Sequence, residues 1–290
     1  MFLSVYKTTL KNLFRSLLFW LIFAFLIGLS IYNTISVNYG IYNHEYQEMI
    51  WDTDPRYVLL EETYVKDVIN NCTTTMLYPM PLMAIVSTFL ILSRDYGDGF
   101  YEIERAGGRR PLYYLTGRLA ALLTVNFIAI LLTVFMMSVT YVFTRGGVSD
   151  MPIGEFWADF ISRVLRNVIC VTWAPIVMFV CSTYMLGSLF KNGWVAAMGS
   201  SVYVLVNFVF NTILQFRIPE WYGQYLSPTP ETVFGYFYFY DYYDDLEKFE
   251  QFLGNRGTSF TLMLASIGWI VGVALIYSLV SYLRIRHREV

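Results

Sequence analysis

The residues of this chain that can do ionic chemistry gather in one stretch. From Arg94 to Arg118 it reads RDYGDGFYEIERAGGRRPLYYLTGR and holds five of the 20 Lys and Arg residues: Arg94, Arg105, Arg109, Arg110 and Arg118. Asp95, Asp98, Glu102 and Glu104 are interleaved with them. Alternating charges of this kind suit contact with an aqueous partner; an ordinary solvated loop that fixes topology would look similar. Catalytic constellations are missing elsewhere. No G-x-x-x-x-G-K-[ST] phosphate loop, HExxH zinc motif or G-x-S-x-G elbow occurs. The only histidines are His44 and His287, and Cys72, Cys170 and Cys181 read as free thiols rather than a framework. The sequence therefore predicts no catalytic residue, no metal site and no enzyme activity in this chain.

The elements that position the charged stretch are apolar. Hydrophobic residues make up 56% of the chain and charged residues 14%, against about a quarter charged in soluble domains. Six runs carry no charge: Ser16–Val37, Thr73–Ser93, Leu119–Phe143, Asn167–Phe190, Trp194–Phe216 and Thr258–Leu283. Each is longer than the ~20 residues a helix needs to cross a ~30 Å hydrocarbon core. One Lys, Arg or Asp at mid-span costs ~2.5–3.5 kcal/mol on insertion scales, so six uncharged runs point to the bilayer. The predicted fold is an all-α integral membrane protein with six transmembrane helices. The first run is too long for a cleaved leader and is expected to remain.

Six spans put both termini on one side. With the termini inside, the inner segments hold Lys7, Lys11, Arg15, the five arginines named above, Lys191, Arg284, Arg286 and Arg288, which is 12 of the 20 basic residues. Seventeen of the 22 acids then lie outside. Short loops rich in Lys and Arg stay in the cytoplasm, so both termini are expected there.

Residues 1–15 precede the spans. Leu3, Tyr6, Leu10, Leu13, Phe14 and Leu17 fall on one helical face, with Lys7, Lys11 and Arg15 beside it. This predicts an amphipathic helix in the inner interface, its basic residues toward anionic headgroups; a basic tail that only orients the first span is the plainer reading. The six-span membrane domain would then occupy 16–290, with a cytoplasmic loop at 94–118 and outer loops at 38–72, 144–166 and 217–257. Pro79 and Pro81 should kink the second span or start it irregularly, either to line a path or merely to pack. Pro175 falls in the middle of the fourth run. The turn Lys191-Asn192-Gly193 makes the fourth and fifth spans antiparallel neighbours. In the fifth, Asn207, Asn211 and Gln215 recur every four residues and share a face. They would either wall a path or hydrogen-bond between helices. The spans hold no carboxylate or lysine for an ion relay, so the energy for any transport would come from a partner.

Within the charged stretch, Glu102, Glu104 and Arg105 can form a short helix, Gly107-Gly108 breaks it, and Pro111 starts the next. An acid shortly before Gly99, a charged turn, a small-residue break and then R-P-L-Y-Y-L-T-G-R resembles the first cytoplasmic loop of ABC exporter permeases of the second type. Arg118 stands where that pattern commonly has Lys. The six spans, the basic N-terminal helix and Leu226-Ser227-Pro228, similar to the outer re-entrant region of such permeases, agree with the resemblance. It implies a permease subunit of a bacterial cell membrane, paired with a second permease chain, alike or different. Two copies of a separate ATP-binding subunit would carry ATP and Mg, leaving this chain without a cofactor. Asp98, Gly99, Glu102, Arg105 and Arg109 would couple to that ATPase. Pro79, Pro81, Asn207, Asn211 and Gln215 would line the path of an exported peptide, antibiotic, lipid or similar cargo. No nucleic-acid partner is expected. A non-transporting membrane anchor or sensor, or a lipid-modifying intramembrane enzyme, stays open on the residues alone.

Overall fold

The computed structural model describes residues 2–43, 79–97, 99, 110–144, 173–213 and 259–286, and every regular element within them is a helix. Helix α1 (Phe2–Phe14) buries Val5, Thr9 and Leu13, the i, i+4, i+8 stripe of one face. That stripe lies beside the predicted apolar face and shares only Leu13 with it; Leu3, Phe14 and Leu17 of that face stay exposed. Lys7, Lys11 and Arg15 are exposed, as the spacing predicts. The helix ends with Ser16 N–H donating to Leu13 O at 3.0 Å. The chain then bends by 69° into α2 (Leu17–Asn43). Two features fix this corner. Ser16 Oγ accepts from Phe19 N–H at 3.4 Å, and Trp20 Nε1 donates to the Phe14 carbonyl at 2.8 Å, an acceptor left open at the helix end. Phe14, Phe19, Trp20 and Phe23 pack edge to face around the corner. Helix α2 runs past Val37, where its apolar run was expected to end, because Asn38 to Asn43 carry no charge or proline to stop it.

Helix α3 (Pro79–Gly97) begins at the first of the two prolines. A proline's missing N–H costs nothing in a first turn, so the pair marks a helix start. Gly99, with φ +66°, adopts the left-handed conformation that glycine tolerates just past a helix end. Helix α4 (Pro111–Thr144) starts at Pro111, as expected. Helix α5 is Ala174–Phe190, with Pro175 at its second residue; Trp173 before it is also helical (φ −75°, ψ −36°), and the rest of the fourth run, 167–172, lies outside the described residues. Lys191, left-handed at φ 53°, turns the chain into α6 (Gly193–Ile213), and Asn192 Oδ1 caps that helix by accepting from Trp194 N–H at 2.9 Å. Helix α7 is Ser259–Arg286.

The α5–α6 hairpin is antiparallel, as its three-residue turn requires. Thr183 Oγ1 meets Ser200 Oγ at 2.8 Å across the two helices, on either side of the turn. Helix α6 also packs on α3, α7 packs on α5, and α4 receives both α1 and α2. Among the described residues, one helix is by itself long and apolar enough to cross a membrane, the Pro111–Met137 part of α4, with mean hydropathy 2.5. Helix α1 and the Leu17–Tyr32 part of α2 reach that length only as a bent pair. Large apolar side chains nevertheless point outward from α2 (Phe25), α4 (Phe135), α6 (Met198, Leu205) and α7 (Leu275, Ile276).

Candidate functional site: a buried ionic junction beneath the charged loop

Asp95 occupies the last turn of α3, and Arg118 lies two turns into α4. Their separation in sequence is bridged in space: Arg118 Nη2 donates to Asp95 Oδ1 at 2.5 Å. Both are interior, at 2% exposure for Asp95 and 0% for Arg118. Arg118 Nη1 donates to Thr9 Oγ1 of α1 at 2.8 Å, and that hydroxyl donates to the Val5 carbonyl, also at 2.8 Å. Tyr114, one turn before Arg118, places its ring 5.1 Å from the guanidinium carbon. Buried Tyr184 stands on α5, which packs on both α3 and α4. Desolvating each ion costs several kcal/mol, and only close pairing with further hydrogen bonds offsets it. The planar guanidinium fork can serve Asp95 and Thr9 together, which a lysine ammonium would do less rigidly.

Gly117 makes the junction possible. A Cβ there would meet Val5 Cβ at 2.9 Å and the Phe2 carbonyl oxygen at 3.3 Å. Without one, α1 lies directly on α4, and Thr9 reaches the next residue, Arg118. The Gly-Arg pair therefore seats α1 with its first residue and grips it with its second. A similar close approach seats the α5–α6 turn, where a Cβ on Gly193 would meet Ser93 N at 2.9 Å. This places the turn beside the end of α3. Among the described residues, every exposed ionised side chain is basic: Lys7, Lys11, Arg15, Arg94, Arg110, Lys191, Arg284 and Arg286.

Deeper in the bundle the helices are joined by neutral polar pairs. Asn126 Nδ2 donates to Ser87 Oγ at 3.0 Å and to the Leu122 carbonyl at 2.8 Å, and Ser278 Oγ lies 3.5 Å from Cys181 Sγ. Such contacts contribute about 0.6 kcal/mol each on average.

Two expectations are corrected here. Asp95 and Arg118 were expected as solvated charges of a 94–118 loop, but helix occupies both flanks, so the connecting segment runs from 98 to 110. A carboxylate is also buried, two residues beyond the second apolar run, because Arg118 and the α1 hydroxyl are there to receive it. Of the predicted coupling residues, Gly99 stands at the mouth of the segment, whereas Asp98, Glu102, Arg105 and Arg109 lie outside the described residues. Pro79 and Pro81 start α3. Asn207 and Asn211 lie in the last turns of α6, and since α3 and α6 run antiparallel, the backbone brings these four to the same end. The side chains of Asn207 and Asn211, together with Gln215, Leu226-Ser227-Pro228 and the outer segments 44–72, 145–166 and 217–257, lie outside the described residues. Sequence reasoning missed Thr9, Tyr114 and Tyr184. Thr9 had a signal, its place between Val5 and Leu13 on one stripe; Tyr184 had none. No cluster of His, Cys, Asp or Glu able to hold a metal occurs among the described residues. The chain matches no protein-family model and no curated protein.

Proposed function

We propose that this chain is the membrane-spanning permease subunit of an ATP-driven exporter of the second ABC type. The observation that carries the reading is the Asp95–Arg118 pair. It ties together the two helices flanking the charged segment 98–110, and among the described residues large apolar side chains face outward from the helices behind it. A loop clasped at its base moves as a unit with the helices behind it, which is what a soluble motor pressing on it requires. In this reading the charged segment faces the cytoplasm, six helices span the bacterial cell membrane, both termini are inside, and α1 lies in the inner interface. The 69° corner between α1 and α2 and the exposed Leu3, Phe14 and Leu17 support that placement of α1.

Two ATPase subunits dock under two permease chains, and their closure on ATP and Mg displaces the 98–110 loops. Asp98, Gly99, Glu102, Arg105 and Arg109 form the contact. The moved ends of α3 and α4 rock the spans, and the Pro79, Pro81, Asn207, Asn211 and Gln215 end opens outward to release a peptide, antibiotic, lipid or similar cargo. Alanine at Glu102 or Arg105 is expected to weaken capture of the ATPase by about tenfold or more, the loss that follows truncating one member of a desolvated charge pair. Binding of the partner to permease immobilised in nanodiscs measures this. Unchanged capture by both variants would remove these residues from the contact.

A further inference from the structure

We propose, on the membrane reading above and independently of the motor, that the corner where the α5–α6 turn meets the end of α3 binds one anionic phospholipid of the inner leaflet. Gly193 seats the turn against α3, since a Cβ on it would meet both the backbone nitrogen and Oγ of Ser93 at 2.9 Å. Lys191 precedes Gly193 by two residues and Arg94 follows Ser93, so the contact brings two exposed cations to one corner. Phe89, one turn before Ser93, packs its ring on Trp194 with centroids 4.6 Å apart. The indole is thereby fixed while 66% of Trp194 stays exposed. An aromatic ring with a polar edge beside basic residues suits the headgroup level. Beyond Trp194, Met198, Val202 and Leu205 continue the same face of α6 at i+4, i+8 and i+11, each more than half exposed. From Trp194 to Leu205 is about 16 Å of helix, the depth of one leaflet. A cationic corner above an apolar strip of that depth matches a phospholipid, with phosphate at Lys191 and Arg94 and an acyl chain along α6. A second copy of this chain would suit the strip but not the corner. Every exposed ionised side chain among the described residues is basic, so a copy brings no described counter-charge to Lys191 and Arg94.

Native mass spectrometry of the full chain released from detergent micelles tests the site, with phosphatidylglycerol and phosphatidylcholine of matched acyl chains as probes. One phosphatidylglycerol is expected to bind about tenfold or more tighter than phosphatidylcholine, the effect of two basic residues at a membrane surface. Lys191→Gly with Arg94→Gln should bring the two lipids level. Glycine preserves the turn, because φ 53° at Lys191 is a conformation it adopts freely. Lys191→Arg should keep the preference, and so should Lys7→Gln with Lys11→Gln, which removes charge from α1 instead. Equal binding of the two lipids by the parent would overturn the site and leave the membrane reading standing, whereas binding of neither would overturn both. A preference lost in the α1 variant and kept in the Lys191→Gly, Arg94→Gln variant would overturn it too. Competition by free glycerol phosphate would show a phosphate site and not a lipid site. Loss of a dimer peak in the corner variant, with lipid preference unchanged, would assign the corner to a second chain.

Discussion

Asp95→Ala is expected to destabilise the protein by about 3–5 kcal/mol, because it leaves a fully buried guanidinium without its counter-charge. Arg118 cannot shed its proton to escape the cost, and with 0% exposure it cannot reach water without opening the α1–α4 contact. The double substitution Asp95→Leu with Arg118→Met removes both charges at similar volume and is expected to recover most of the loss. Thermal unfolding in detergent, followed by the loss of a monodisperse peak, ranks the three proteins. The junction predicts the order parent, double variant, Asp95→Ala. Asp95→Ala as stable as the parent would mean that the pair is solvated, and the clasp beneath the loop would not exist.

Gly117→Leu carries the second large effect, about 1–3 kcal/mol from overpacking. The added side chain would start 2.9 Å from Val5 Cβ and 3.3 Å from the Phe2 carbonyl. Since the second of these is backbone, rotation of Val5 alone cannot relieve the clash, and α1 must lift. Limited trypsin digestion reports the lift directly, through faster cleavage after Lys7, Lys11 and Arg15 than in the parent. An unchanged digestion pattern with unchanged stability would show that α1 does not depend on the Gly117 seat.

Much of the helical framework was legible because the signals behind it are local. Pro111 and the Lys191-Asn192-Gly193 turn set helix limits where the sequence places them, and the basic residues of α1 are exposed as their spacing predicts. The junction was not legible, because its signal is long-range. Asp95 and Arg118 look like their neighbours Asp98 and Arg110 in a charged stretch; only the fold decides that one acid and one arginine turn inward while Arg94 and Arg110 stay exposed. The stripe of α1 that meets protein, Val5, Thr9 and Leu13, shares only Leu13 with the predicted apolar face, because its middle contact is a threonine hydroxyl that apolar periodicity does not count.

The most direct measurement is to capture this chain from native membranes and assay what comes with it for Mg-dependent ATP hydrolysis. The prediction is a separate soluble ATPase, retained by the parent chain and lost when Glu102 and Arg105 are changed to Ala. A chain that comes down alone, with no hydrolysis, would contradict the exporter reading and leave the Asp95–Arg118 junction as a structural clasp.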